Sequence, residues 1–472
     1  MREVLEREDK WDVGEHFELP DLGGVIADGH VDHRTVDLTS VYYDTRERDL
    51  QAHGILLRRR DGDEDAGWQL KTPAAGGRTE LRWPLTDSPP DSLTKLIAGI
   101  SLGKDLSGVA TIHTVRNSYR IHDAKAEELW AEVADDSVHA WVDERLSAWR
   151  EIEVEYGRGT DSFFERLTGR LRSAGARPSR YPSKLSHVLP PTPVAEPVSP
   201  AGRALTRYLG EQIDAVVLGD LGLRRGRDPI HDTRVAIRRL RSTLRVFRKL
   251  LDRSAIGDLD GELRWFASLL GDVRDCQVQH RRFTAALDEL PEELVLGPVR
   301  SHIRNELQGI ELPARDRVRE AMDSPRYLAI MAVLRDCRTR LPIKPETTKS
   351  QLIRKTRRAG RKADRRLTAA VRGGDDSTLH RARKAAKRAR YAAELLEPIG
   401  GAKRAKRIKK HYKGIQSVLG DHQDTVVASS VLRRMATSAG ATVAENGFTY
   451  GLLFSREQHI AEECRRQVRN LL

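Results

Sequence analysis

The chain has 472 residues, 32% of them charged and 39% hydrophobic, with a formal net charge of +13. That length has room for about two to four domains, and no apolar run approaches the roughly 18–20 residues that a membrane span needs. The three cysteines, Cys276, Cys337 and Cys464, have no paired spacing, which argues against a disulfide framework or a zinc site. The N-terminus is charged and lacks a signal-peptide core, so a reducing cytoplasm is the expected location. Charge is unevenly spread. Residues 1–190 hold 26 Lys and Arg against 35 Asp and Glu; the rest hold 56 against 34. A basic back half of this kind points to a polyanion partner.

In chain order, the front half alternates short strand-like runs with turn signals. Val4 to Lys10 puts Glu6, Glu8 and Lys10 at spacing two. Thr39 to Asp44, Gly54 to Arg60, Gly67 to Lys71 and Arg78 to Pro84 follow, then Leu129 to Ala134, Val138 to Val142 and Trp149 to Tyr156. This density of strands predicts an antiparallel barrel or sandwich. Because side chains alternate faces on a strand, Glu151, Glu153 and Glu155 share one face while Ile152 and Val154 share the other. One such strand taken alone reads as carboxylates in solvent over an apolar core. The set says more. Carboxylates stand on the first and last strands, and Arg and Lys dominate those between. Lining one interior, the carboxylates would repel one another unless a divalent cation bound them, and oxygen ligands suit Mg²⁺ or Mn²⁺. Arg and Lys opposite would receive phosphate oxygens.

The spelling Glu6-x-Glu8-x-Lys10 resembles the ExExK signature of the CYTH family, the triphosphate tunnel metalloenzymes. Val41-Tyr-Tyr-Asp-Thr45, Leu57-Arg-Arg-Arg60, Trp68-Gln-Leu-Lys71, Arg78-Thr-Glu80, Arg116, Ala131-Glu-Val133 with Asp135 and Asp136, Glu151 to Glu155, and Ser183-Lys184 follow in the family's order. The resemblance covers residues 1–188. It implies an eight-stranded antiparallel β-barrel forming a closed tunnel that binds triphosphates with divalent metal. It also implies Glu6, Glu8, Glu153 and Glu155 as metal ligands, and Lys10, Arg58, Arg60, Lys71, Arg78, Arg116 and Lys184 as phosphate binders. Glu80, Glu132, Asp135, Asp136 and Glu151 are the candidates to orient the attacking water.

A linker is expected at 189–200, where five prolines fall in twelve residues and disfavour helix and interior strand. Beyond it, apolar residues recur at three and four, as in Leu263, Phe266 and Leu270, and predict an all-α domain over 201–472. His231-Asp-Thr-Arg234 with Arg238 and Arg241 recurs 149 residues later as His380-Arg-Ala-Arg383 with Lys387 and Arg390. Leu270-Gly-Asp272 with Asp275 recurs at the same offset as Leu419-Gly-Asp421 with Asp424. A constant offset means a duplicated module of about 140 residues, expected over 201–340 and 350–472. On a helix, His231, Arg234, Arg238 and Arg241 fall within a stripe of roughly 80°.

These two stretches resemble the CHAD family, α-helical domains named for their histidines. The resemblance implies two pseudo-symmetric four-helix bundles about a basic cavity that binds inorganic polyphosphate, with His231, Arg234, Arg238, Arg241, His380, Arg383, Lys384, Lys387 and Arg390 as the contacts. The basic stretches contain almost no aromatics, which weighs against single-stranded nucleic acid; duplex bound through phosphates alone stays open. The expected function is metal-dependent hydrolysis of inorganic triphosphate, or a related triphosphate, by an α+β protein whose helical half holds polyphosphate. A non-catalytic polyphosphate tether and a nucleic-acid binder are the alternatives.

Overall fold

The computed structural model describes residues 2–26, 29–62, 64–123, 128–190, 199–340, 342–399, 402–439 and 446–471. The chain is α+β, an antiparallel sheet followed by a helical region, and divides into compact units at residues 1–193 and 194–472.

In the first unit the strands are β1 (Arg2–Glu6), β2 (Glu8–Asp12), β3 (His30–Asp44), β4 (Leu56–Asp61), β5 (Gly67–Ala74) and β6 (Gly77–Trp83). After α1 (Asp91–Ser101) come β7 (Ser107–His122), β8 (Leu129–Val142), β9 (Arg145–Tyr156), α2 (Asp161–Ser173), β10 (Arg177–Pro178) and α3 (Lys184–Val188). All ten strands form one sheet in the order β1-β6-β5-β4-β3-β7-β8-β9-β2-β10. The expected eight-stranded closed barrel is met only as an antiparallel sheet: among the described residues it has ten strands and its hydrogen-bonded ladder does not close. The physical reason lies at Arg7, which interrupts the first extended segment. Glu6 pairs with Arg78 on β6, whereas Glu8 pairs with Glu155 on β9. Strand β1, at one end of the ladder, and β2, next to last at the other, are thus consecutive pieces of one segment, and both present carboxylates to the same space.

The opposite face is apolar. Ile152 and Val154 of β9 join Ile121, Ala131 and Val133 beneath Phe163, Phe164, Leu167 and Leu171 of α2. Helix α2 begins where the Thr160 hydroxyl accepts from the Phe163 amide, a cap that satisfies an otherwise orphaned N–H. The sheet is therefore polar on one face and packed on the other, so a one-residue slip would expose the core.

The second unit contains α4 (Pro200–Arg224), α5 (Ile230–Val246), α6 (Arg253–Ile256), α7 (Leu259–Asp288), α8 (Val299–Met322), α9 (Pro325–Thr339), α10 (Lys349–Gly373), α11 (Asp376–Leu396), α12 (Ala402–Ala439) and α13 (Phe448–Arg469). Helices α4, α5, α7 and α8 pack in succession, as do α10, α11, α12 and α13, and α5 meets α11 between the repeats. The repeat offset carries α4 onto α10, α5 onto α11, α7 onto α12 and α8 onto α13. Even the caps recur: Ser199 and Thr348 each accept an N-terminal amide of the helix that follows. Helices α6 and α9 have no counterpart among the described residues of the second repeat. Cys276, Cys337 and Cys464 are buried free thiols, and no described helix is long and apolar enough to cross a membrane.

Candidate functional site

The polar face of the sheet surrounds a cavity of about 540 Å³ to which every strand but the two-residue β10 contributes. Strand periodicity puts the charges there. Arg58 and Arg60 lie on β4, Glu153 and Glu155 on β9, each pair two residues apart. Glu8 stands directly opposite Glu155, and Glu155 opposite Glu132. Like charges directly across a ladder repel, so this corner calls for a cation. Glu6, Glu8 and Glu155 offer carboxylate oxygens within 4.8 Å of one another. Burial, then Glu6, raises the pKa of Glu155 to about 7. Hard oxygen donors in this arrangement fit a Mg²⁺-like ion.

Glu153, expected with that trio, lies in a second group with Asp136 and Glu151. Lys184 binds all three, at 2.7 Å from Asp136, 2.8 Å from Glu151 and 2.7 Å from Glu153. Lys10 also pairs with Glu153, and Arg116 donates to Asp136 at 2.8 Å and to Glu153 at 2.5 Å. Burial opposes ionisation of Glu153, but Lys10, Lys184 and Arg116 outweigh it and hold its carboxyl well below the usual range. The capping box of Ser183 and Ser186 sets Lys184 at the start of α3. This group is neutralised internally.

The five residues expected to act on water separate by position. Glu80 and Glu132 line the cavity, whereas Asp136 and Glu151 do not appear in its lining. Burial opposes ionisation of Glu80 too, but Lys71, Arg58 and Arg82 outweigh it and bring its pKa to about 2. Glu132 accepts from the Ser118 hydroxyl at 2.7 Å and lies 3.3 Å from Arg120. Asp135 points away from these groups and takes a bidentate pair from Arg150 at 2.8 and 2.7 Å.

The cations also differ in their pairing. Lys71 donates to Glu6 at 2.5 Å, and Arg58 to Gln69 at 2.7 Å. Arg60 is the exception: its buried Nε has no hydrogen-bond partner among the described residues. Burial, then Arg58 and Arg116, lowers its pKa to about 10, so it remains cationic at neutral pH. Arg78 also lines the cavity, as do Arg34, Arg82 and Arg120, which sequence reasoning missed. The signal for two of these was spacing: Arg82 is two residues after Glu80, and Arg120 four after Arg116, each on one face of its strand.

In the helical unit the repeated basic residues divide into two sets. Arg234 donates to the Gly271 carbonyl at 3.1 Å and lies 3.7 Å from Asp275. Gly271 and Gly420 are close-approach positions: a Cβ on either would stand 3.4 Å from Arg234 and Arg383 respectively. Arg238 and Arg383 each keep a buried Nε without a hydrogen-bond partner among the described residues. Lys387 stands among them; burial, then Arg383 and Arg238, lowers its pKa to about 7. Arg241 turns instead to Asp260 at 3.0 Å, and Arg390 to Glu394 at 3.0 Å. Lys384 stands by Arg388 and Arg241. His231 and His380 have lowered pKa values, first through burial and then through Arg274 and Lys384 respectively. Arg274, on α7, was missed because it follows the repeated Leu-Gly-Asp motif rather than belonging to the His-Arg stripe.

A face-alternating sheet around cations and carboxylates, followed by a duplicated basic helical unit, defines a two-module class by its architecture. The CYTH domain family matches residues 21–165 and the CHAD domain family residues 207–433. The chain belongs to the proteins that carry a CYTH domain followed by a CHAD domain. It is 34% identical over 502 residues to the uncharacterized protein Rv2226 of Mycobacterium tuberculosis, covering 98% of this chain and 95% of that one. Among solved structures, PptA from Streptomyces chartreusis is 22% identical with a TM-score of 0.49, over 58% of this chain and 99% of that one. The CHAD domain from the plant Ricinus communis is 22% identical with a TM-score of 0.45, over 59% of this chain and 95% of that one. HpAC1 from Hippeastrum, described as a putative adenylyl cyclase with a dominant triphosphatase activity, is 18% identical with a TM-score of 0.27, over 39% of this chain and 94% of that one.

Proposed function

We propose that the sheet unit hydrolyses inorganic triphosphate or a related triphosphate, and that the helical unit binds inorganic polyphosphate. The observation that carries this reading is Arg60, a half-buried cation whose Nε is buried without a hydrogen-bond partner among the described residues, in the same cavity as the carboxylates of Glu6, Glu8 and Glu155. A cavity with a surplus cation on one wall and a carboxylate trio on another suits a ligand that is itself anion plus metal. Glu6, Glu8 and Glu155 would hold Mg²⁺ or Mn²⁺, with Glu153 serving as counter-ion to Lys10, Arg116 and Lys184. The metal, when bound, supplies charge neutralisation at the phosphate oxygens.

The chain's own residues do the rest. Arg58, Arg60 and Arg78, with Lys10, Lys71, Arg116 and Lys184 behind them, orient the phosphate chain and absorb the charge that develops on it. Water attacks the terminal phosphorus, the phosphoanhydride P–O bond breaks, and diphosphate leaves with that oxygen. Glu132 is the carboxylate to orient the water, because it lines the cavity and is less tied up by cations than Glu80. Asp136 and Glu151 position Lys184 and Arg116.

In the helical unit, Arg234, Arg238, Arg383 and Lys387 form the polyphosphate dock. Such a dock would raise the local concentration of phosphate chains.

Phosphate release from tripolyphosphate with Mg²⁺ or Mn²⁺ tests the enzyme reading, and Glu6→Gln with Glu8→Gln should abolish it. No release by the unaltered protein would leave a polyphosphate tether. For the dock, long-chain polyphosphate should displace duplex DNA at far lower phosphate concentration; DNA winning at equal phosphate would reverse the partner assignment.

A further inference from the structure

The two helical repeats are unlike in charge beside the dock. Helix α4 carries three cations and three acids, whereas its counterpart α10 carries ten cations and one acid. That acid, Asp364, already accepts from the Tyr412 hydroxyl at 2.9 Å. At about 100° per residue, the cations of α10 other than Lys349 fall on the half of the helix opposite the buried Leu352, Ala363 and Leu367. Arg354, Arg358, Lys362 and Arg366 follow one another at intervals of four, and the first three are exposed. Like charges at this interval repel, so the run is destabilising until an anion covers it.

The imbalance continues onto the helices that form the dock. On one side of the α5–α11 contact, Arg239 lies 3.3 Å from Glu394, and Lys409 lies 3.2 Å from Glu397. On the other side the repeat offset puts Arg388 in the place of Arg239, and Arg245 and Arg248 in the places of Glu394 and Glu397. An exchange in the opposite sense, Asp260 for Lys409, supplies an acid that is taken up by Arg241 at 3.0 Å and Arg245 at 2.6 Å. Burial, then Arg388, Arg241 and Arg245, lowers the pKa of Lys384. Arg366, then burial and Arg388, lowers that of Lys362. From Arg383 of the dock, cations therefore continue through Lys384 and Arg388 of α11 to Arg366, Lys362 and Arg358 of α10, each close enough to perturb the next.

This track begins at half-buried Arg383 and Arg388 and ends on an exposed helix face. A nucleic-acid duplex, stiff over about 50 nm, would lie on α10 without reaching Arg383. A flexible single file of phosphates meets both ends. Helix α10 has no aromatic residue on which a base could stack. We propose that inorganic polyphosphate longer than the dock leaves it on one side only, its outgoing segment held by Lys384 and Arg388 and then by Arg366, Lys362, Arg358 and Arg354. The proposal rests on the reading of the dock given above, and it makes the helical unit favour long chains over short ones.

The test uses the full chain and fluorescently labelled polyphosphates of about 100 and about ten phosphates, with anisotropy followed as salt is varied. Arg354→Gln with Arg358→Gln and Lys362→Gln removes three exposed contacts. Long-chain affinity should fall roughly tenfold or more, and its log–log salt slope should become shallower by about two. The short chain should change by less than about twofold, because the dock alone holds it. Relief of repulsion should leave the melting temperature of this variant unchanged or higher, which verifies its fold. Lys403→Gln with Lys406→Gln and Lys410→Gln takes the same charge from exposed positions of α12 and should leave both affinities unchanged. Arg234→Ala with Arg383→Ala should weaken both lengths. No long-chain loss in the α10 variant, an equal loss for the short chain, or an equal loss in the α12 variant would overturn the proposal while the dock stands. Failure of the unaltered protein to bind either length would remove the dock and the proposal together. Duplex DNA displacing the long chain at equal phosphate, and losing that ability in the α10 variant, would assign α10 to nucleic acid and equally overturn it.

Discussion

Arg60 and Lys387 show what burial does to a cation left among other cations. Arg60 keeps its charge because an arginine lowered to about 10 is still protonated at neutral pH. Arg60→Gln should therefore lower kcat/KM for tripolyphosphate by about 10- to 100-fold, the loss of one or two charge-assisted hydrogen bonds at about 1.5–3 kcal/mol. It should leave the melting temperature unchanged or higher, since no ion pair among the described residues is broken. Lys387, lowered to about 7, behaves differently. Its pKa in the folded chain lies below the unfolded lysine value near 10.4. The unfolded chain binds more protons between these values, so stability rises as pH goes from about 7 towards 10, and the penalty is full below 7. Polyphosphate affinity should run the other way, falling above pH 7 as the ammonium is lost. Lys387→Met should remove both trends: titration of binding and denaturant melts at pH 6 and pH 9 measure them together.

Asp136 separates a positioning role from a catalytic one. It is fully buried and holds Arg116 and Lys184. Asp136→Asn leaves those cations short of a counter-ion, and breaking one member of a buried ion network costs about 3–5 kcal/mol. The expected result is a lowered melting temperature that high tripolyphosphate partly restores. Glu132→Gln should instead keep the melting temperature and lose kcat, because its carboxylate lies at the cavity surface.

Among the elements, β1, β2 and β9 place the carboxylate trio, and the packing of β1 and β9 is tight in different ways. Gly77 faces β1 so closely that a Cβ there would come 2.2 Å from the Glu6 carbonyl oxygen. Gly77→Ala should push β1 away from β6 and weaken Mg²⁺ or Mn²⁺ binding measured by calorimetry. On the other face, Phe163 of α2 is fully buried against β8 and β9. Phe163→Ala should cost about 3–5 kcal/mol of stability, read as a shift in denaturant midpoint.

Alternation made β9 legible, since Glu151, Glu153 and Glu155 oppose Ile152 and Val154 whatever the fold. It could not tell that the segment from Glu6 to Lys10 is two strands. That division depends on which partners flank Arg7, a long-range pairing that no local pattern encodes. Nor could spacing distinguish Glu153 from Glu155. Both lie on one face, and only the arrival of Lys10, Arg116 and Lys184 from three other elements separates them. In the helices, the constant offset identified the duplication, and the His-Arg stripe falls on α5 and α11. The outward turn of Arg390 to Glu394 was hidden, because a side chain's choice among partners is made in three dimensions.

For the whole molecule, the two compact units predict separable ligand responses. Tripolyphosphate with metal should raise only the melting transition of the sheet unit, and long-chain polyphosphate only that of the helical unit, as differential scanning calorimetry of the full chain would record. The sequence by itself determined the two-module organisation, the basic duplication and the charge faces, because composition, repeat offset and side-chain period are local or one-dimensional properties. Only the tertiary structure decided which carboxylates cluster and which buried arginine Nε atoms lack a partner among the described residues. Those depend on chain segments far apart in sequence meeting at distances of a few ångströms.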